Sequence, residues 1–228
     1  MSLESRFAHS DCLPIRNSKP RTVTSPTRLF LLRHGEVESR YHRVFGGRID
    51  MELSPDGHQQ ARLLADYLRA TSMDAVYVSP MKRAQQTLSP ITAHLRSVPK
   101  VLPGLREVDF GDWTGLNWEQ VREQFQTSPF EWLHKLEQAV IPNAEPIQQF
   151  RDRVEPCLEQ ILRDHPGQTV AVVCHGGVIR MMLSILLDLP LAKTAAFDIE
   201  YASLTEVHLH PHKTEIQRLN FTPWRDLS

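Results

Sequence analysis

Two near-continuous apolar runs constrain this chain most. "RLFLLR" at 28–33 and "TVAVVC" at 169–174 carry apolar residues at successive positions instead of alternating ones. A strand of that kind is buried on both faces, which belongs in a sheet covered by helices on each side. Both runs stop abruptly on polar groups, the first at Arg33, His34 and Gly35, the second at His175, Gly176 and Gly177. In open α/β sheets the carboxyl ends of the strands face the ligand crevice, so polar groups at two such ends converge.

The rest of the pattern fits that frame. A third strand is expected at 74–78, giving βα units and a mostly parallel sheet, hence a three-layer α/β/α fold. "SPDGHQQARLLADYLRA" from Ser54 predicts a helix with a serine N-cap, an N1 proline and an apolar face of Ala61, Leu64, Ala65 and Leu68. "SPMKRAQQTLSPITAHL" from Ser79 repeats the Ser-Pro start, with Pro90 expected to kink or divide the helix. Further helices are predicted over 117–126, 146–164 and 177–188, and a hairpin over 202–209 and 214–220. Residues 1–27, rich in Ser, Pro, Arg and Thr with no apolar period, read as a flexible tail outside the fold. A transit peptide fits them less well, because Glu4, Asp11 and the prolines oppose it. Residues 28–228 are expected to form a single catalytic domain.

Bulk properties exclude several classes. With 26 basic and 27 acidic residues the net charge is −1, so no global field draws the chain to nucleic acid or an anionic membrane. No apolar run nears the roughly 20 residues that span a bilayer. Cys12, Cys157 and Cys174 form no CxxC pair and no disulfide framework, which points to a reducing, cytoplasmic setting. Nothing in the sequence specifies an oligomeric state.

At the strand ends, glycines at a helix N-terminus let backbone N–H groups approach an anion, and Arg83, one turn beyond the 74–78 strand, is placed to join Arg33 there. A lone histidine at such a position is usually structural; two with flanking arginines and glycines specify more. A zinc site built from His34 and His175 is the sharpest competitor, but Arg33 and Arg83 would repel a cation and no HxH or HExxH spacing occurs in these motifs.

The ordered motifs "LFLLRHGE", "SPMKRAQQT", "LREVDFGDWTG" and "VVCHGG" resemble the histidine phosphatase (phosphoglycerate mutase-like) superfamily from about Arg28 to Leu209. The resemblance implies that His34 is the nucleophile that becomes phosphorylated. Arg33, Arg83 and His175 would grip the phosphoryl group, and Glu107 would be the proton donor, with neither metal nor cofactor required. The implied partner is a small phosphomonoester. "HGG" and "REVDFGDWTG" look like the phosphatase branch, typified by alpha-ribazole phosphatase and broad-specificity phosphatases; a cofactor-dependent phosphoglycerate mutase and a non-catalytic phospho-ligand binder are the alternatives. Three departures bear on substrate. Arg40 stands where most members carry Asn, Gly46 where many carry Ser, Thr or Gln, and "NAEP" keeps Glu145 without the family's glycines. Arg40, Gly46 and Gly176 are the expected substrate contacts. One reading makes Arg40, His42, Arg43 and Arg48 a basic rim that selects a second negative group; the other makes them a solvated loop. The region around 110–150 is expected to cap the site, with Phe125, Phe130 and Trp132 either lining a leaving-group pocket or packing the core. Glu36 reads as an orienting carboxylate, and Asp109 and Asp112 as caps or turn residues.

Overall fold

The computed structural model describes residues 25–227. The tail expected at 1–27, and with it Cys12, lies largely outside the described residues; Thr27 already belongs to the first strand.

In chain order the strands are β1 (Thr27–Arg33), β2 (Ala75–Val78), β3 (Lys100–Val101), β4 (Thr169–Cys174), β5 (Leu204–Leu209) and β6 (Thr214–Phe221). The helices are α1 (Pro55–Leu68), α2 (Lys82–Thr92), α3 (Trp118–Phe125), α4 (Trp132–Glu137), α5 (Ile147–Asp164), α6 (Gly176–Leu186) and α7 (Pro223–Asp226). One six-stranded sheet runs in the order β3-β2-β4-β1-β5-β6. β1, β2, β3 and β4 are mutually parallel, while β5 runs antiparallel to β1 and β6 antiparallel to β5.

Side-chain alternation along the central strands divides the core into two layers. Leu29 and Leu31 of β1, with Val170 and Val172 of β4, face α5 and α6 through Phe150, Val154, Leu158, Ile179 and Met182. Phe30 and Leu32, with Ala171 and Val173, face α1 and α2 through Leu64, Leu68, Leu88 and Ile91. Burying each such side chain contributes about 1.5–3 kcal/mol, so both faces of these strands must be apolar. The unbroken runs in the sequence are the result.

Register fixes the site. Arg33 pairs with Cys174 and Val78 with Val173, so three parallel strands end level and deliver His34, Ser79 and His175 to one edge of the sheet. α1 starts as expected: Ser54 caps it by accepting from Gly57 N at 2.9 Å. The second Ser-Pro start is not a cap. α2 begins at Lys82 after Met81, with no side-chain cap; the Ser79 hydroxyl lies ahead of the helix, where it meets His175 Nε2 at 2.7 Å and accepts from Met81 N at 3.3 Å. Pro90 does not divide α2 either; the helix continues through it and ends at Thr92. The predicted hairpin is present as β5 and β6, while the short β3, α4 and α7 were not anticipated.

α1 is also held close to the loop after β1. A Cβ at Gly57 would stand 2.0 Å from the Glu36 carbonyl oxygen, a contact only relieved by moving backbone. Gly57→Ala is therefore expected to lower the unfolding free energy by about 1–3 kcal/mol through overpacking, read as a lower urea midpoint at unchanged slope. An unchanged midpoint would show that the contact does not constrain the loop.

Candidate active site

The edge formed by β2, β4 and β1 opens into a cleft of about 260 Å³, lined by Arg33, His34, Arg83, Glu107, Gly176, Gly177 and Arg180 among others. Its floor is a hydrogen-bonded set. Arg83 Nε donates at 3.2 Å to His34 Nε2 and at 3.2 Å to His175 Nδ1. His34 Nδ1 lies 2.8 Å from the Gly35 carbonyl, which can only accept, so the ring proton sits on Nδ1 and Nε2 keeps its lone pair. By the same logic His175 accepts at Nδ1, leaving Nε2 to meet the Ser79 hydroxyl at 2.7 Å.

These groups are out of water: His34 is 5% exposed, His175 0% and Arg83 2%. Burial, then the neighbouring Arg83 and Arg33, holds His34 well below the ordinary histidine value. Burial, then Arg83, His34 and Arg33, does the same to His175. Burial also brings Arg83 and Arg180 down to about 10, which leaves both cationic at neutral pH. Arg83 is further held by the carbonyls of Ile49 at 2.7 Å and Gly47 at 3.2 Å. Arg33 donates to the Ile199 carbonyl and stacks over the Tyr201 ring at 4.1 Å, yet its Nε has no partner among the described residues. Arg180 Nε is also buried without one. Cations dominate the lining, and two buried donors lack acceptors. Such a site favours an anion.

Glu107 accepts from Gly177 N at 3.1 Å and from Val108 N at 3.0 Å. A Cβ at residue 177 would stand 2.5 Å from Glu107 Oε1, so the second glycine of "HGG" is what lets this carboxylate reach the helix start. The Glu107 segment is clamped from behind. Arg153 pairs with Glu145 at 2.7 Å and donates to the carbonyls of Gly104, Arg106 and Glu107.

His34, Arg33, Arg83, Glu107, Gly176 and Gly46 thus line one cleft, and His175 is buried beside it, joined to the set through Arg83 Nε. Arg40 is not among its lining residues; it is exposed, ion-paired with Glu38 at 3.1 Å and stacked over Tyr41. Of the aromatics considered, Trp132 lines the cleft, Phe125 packs against Trp113, and Phe130 stays 70% exposed against Trp118. Glu36 holds Ser54 and His42. Asp109 accepts from Gly111 N and Thr114 in a turn, and Asp112 accepts from Asn143. Ser79, Arg180 and Tyr201 were not singled out from sequence. The one available signal was the charge of Arg180 inside the apolar run "GGVIRMM". Among the described residues no group of three or more His, Cys, Asp or Glu is placed to hold a metal ion, and no helix is long and apolar enough to cross a membrane.

The model of the histidine phosphatase superfamily, branch 1, matches residues 29–222. Phosphoserine phosphatase 1 of Hydrogenobacter thermophilus is 31% identical over 196 residues, 86% of this chain and 92% of that one. The adenosylcobalamin/alpha-ribazole phosphatase of Salmonella typhimurium is 32% identical over 174 residues, 76% of this chain and 86% of that one. Among solved structures, mycobacterial glucosyl-3-phosphoglycerate phosphatase superposes with a TM-score of 0.74 at 26% identity, covering 85% of this chain and 98% of that one.

Neutral histidines buried among cations link stability to pH. Unfolded histidines take up protons below about pH 6.5, whereas the folded His34 and His175 resist, so the unfolded state binds more protons there. Their neutral burial is accommodated above that value, and stability is lost as pH falls below it. Urea titrations between pH 7.5 and 5 should show this loss. His34→Gln should reduce the slope by up to about 1.4 kcal/mol per pH unit, and an unaltered slope would count against a neutral His34.

Proposed function

The chain belongs to the histidine phosphatase superfamily, branch 1, and is a phosphatase; we propose that it hydrolyses a small phosphomonoester through a phosphohistidine on His34. The observation that carries this reading is the tautomer of His34. Its Nδ1–H is committed to the Gly35 carbonyl, and its Nε2 keeps an unprotonated lone pair in a cation-lined cleft, met only by the Arg83 Nε–H that it shares with His175.

The chemistry follows from charge placement. Phosphoryl transfer passes through a loose transition state whose charge spreads over the equatorial oxygens. Arg33 and Arg83 answer that charge in a water-poor site, where fixed donors stabilise more than they would in solution. The free Arg33 Nε is one such donor. His34 Nε2 attacks phosphorus as the bond to the leaving oxygen breaks, and Glu107 supplies that oxygen with its proton. Water then attacks the phosphohistidine after giving a proton to Glu107, which restores the carboxyl, frees His34 and releases phosphate. A bound dianion offsets the cation repulsion acting on His175, so its Nδ1 gains a proton and donates to the phosphoryl group. The backbone N–H groups at the start of α6 face the same anion.

The relatives' names specify different substrates, so the leaving group is not carried over from any of them. A cytoplasmic setting belongs to the same proposal, supported by Cys157 and Cys174 both being free thiols.

Steady-state phosphate release from a phosphomonoester panel tests the mechanism. Wild type should turn over in EDTA, His34→Ala should not, and Glu107→Gln should lose about 10²–10⁴-fold in kcat. A quenched reaction should hold a phosphoryl label on the protein that survives alkali and is lost in acid. Turnover by His34→Ala, or loss of wild-type activity on chelation, would overturn the reading. Isomerisation of 3-phosphoglycerate with no net phosphate release would convert it to a mutase.

A further inference from the structure

Beyond His34, the loop between β1 and α1 carries four basic side chains, and the structure separates them. Arg40 is paired with Glu38 at 3.1 Å. His42 Nε2 lies 2.9 Å from the Val37 carbonyl and 3.4 Å from Glu36. Arg48 lies 3.4 Å from Asp109. Arg43 differs in both respects that matter. It lines the catalytic cleft, and its side chain has no hydrogen bond or ion pair with any described residue.

Its backbone is also unusual. Arg43 has φ of 56°, in the left-handed region that side-chain-bearing residues enter uncommonly, and conformations of that kind concentrate at ligand clamps. The turn is pinned from the next residue, since Val44 N donates to the Tyr41 carbonyl at 3.3 Å and Val44 bridges to Asn117.

Charge balance indicates what Arg43 is for. Four guanidiniums, those of Arg33, Arg43, Arg83 and Arg180, line the cleft against the single carboxyl of Glu107, so a phosphomonoester dianion leaves positive charge uncompensated. Arg43 is the one of the four with no partner among the described residues, and the two oxygens of a carboxylate match the planar fork of its guanidinium. We propose that Arg43 is a specificity-determining residue that binds a carboxylate on the leaving group, so that the preferred substrates are small phosphomonoesters of hydroxycarboxylic acids. This rests on the phosphatase reading of the cleft and adds a second anion site to it. Arg40, which the sequence suggested for such a role, is occupied elsewhere.

A matched pair of substrates tests it: 3-phosphoglycerate and sn-glycerol 3-phosphate, which differ by a carboxylate against a hydroxymethyl group. Wild type should prefer the first at least tenfold in kcat/KM, mainly through KM. Arg43→Ala should lose at least tenfold on 3-phosphoglycerate and less than threefold on glycerol 3-phosphate, with Arg43→Lys recovering part of the loss. Arg43→Gly relaxes the left-handed backbone while removing the guanidinium, and should match Arg43→Ala. Equal losses on both substrates, or a preference retained by Arg43→Gly, would overturn the proposal. Calorimetric binding of the same two compounds to His34→Ala separates this from the phosphatase reading. If wild type turns over neither compound nor p-nitrophenyl phosphate, the catalytic reading fails. An affinity ratio of tenfold would still support the carboxylate site, and one below threefold would overturn it.

Discussion

One hydrogen atom, the one on Arg83 Nε, organises this structure, because it is shared between His34 Nε2 and His175 Nδ1. An N–H can be shared in this way only if both nitrogens present lone pairs, so both rings must be neutral and in opposite tautomers. The remaining contacts enforce that state. Gly35 O fixes the proton of His34 on Nδ1, Ser79 receives the other nitrogen of His175, and the carbonyls of Ile49 and Gly47 hold the Arg83 guanidinium. Thr87 ties the set to the helix, accepting from Gly35 N at 2.9 Å and donating to the Arg83 carbonyl at 2.7 Å. The level ends of three parallel strands make the arrangement possible, and burial makes it strict, since a proton added to either ring would sit among guanidiniums with little water to screen it.

Glu107 is held on a different principle. It comes from an irregular segment with few strand contacts, so its position depends on Arg153, which lies on α5 and bonds three successive parts of that segment. Arg153 is itself neutralised by Glu145, and Glu145 Oε2 accepts from Asp109 N at 3.3 Å on the far side of Glu107. A largely buried ion pair of this kind contributes little net stability, because desolvation offsets most of its Coulomb attraction. Its effect is geometric: it converts a loop into a fixed platform for one carboxylate. The retained Glu145 of "NAEP" therefore has a structural reason that does not depend on the missing glycines.

The sequence carried the sheet and the polar edge where its strands end well, and for a single reason. Strands buried on both faces write their burial into unbroken apolar runs, and the polar groups that interrupt those runs mark the functional edge. What it carried poorly were features decided by partners distant in sequence. Ser79-Pro80 has the form of a helix start, but the hydroxyl is claimed by His175, 96 residues away, and the helix begins without it. Pro90 lies within the last turn of α2, where one missing N–H disturbs little, so it does not divide the helix. Arg180 was hidden by its surroundings, being one charge in an otherwise apolar helix. Arg40 and Arg43 illustrate the limit most clearly. They are three residues apart and chemically identical, and only the position of Glu38 and the turn at Arg43 distinguish an occupied side chain from an unpaired one.

This division has a consequence for how specificity can vary on such a scaffold. The groups that would hold the phosphoryl group are rooted in strand ends and helix starts, and moving any of them would disturb two core layers at once. Other groups that line the cleft, among them Tyr41, Arg43, Trp118 and Trp132, come from the loop after β1 and from the segment between β3 and α5. Those segments are joined to each other by the Val44–Asn117 bridge, by the Phe45 N bond to Leu116 O at 2.9 Å and by Phe45 packing on Phe110 and Trp113. Substitutions at exposed rim positions such as Arg43 alter charge and shape there without repacking the interior. Glu107 is the exception to this separation, since it belongs to one of these two loops and is tied back to α5 by Arg153.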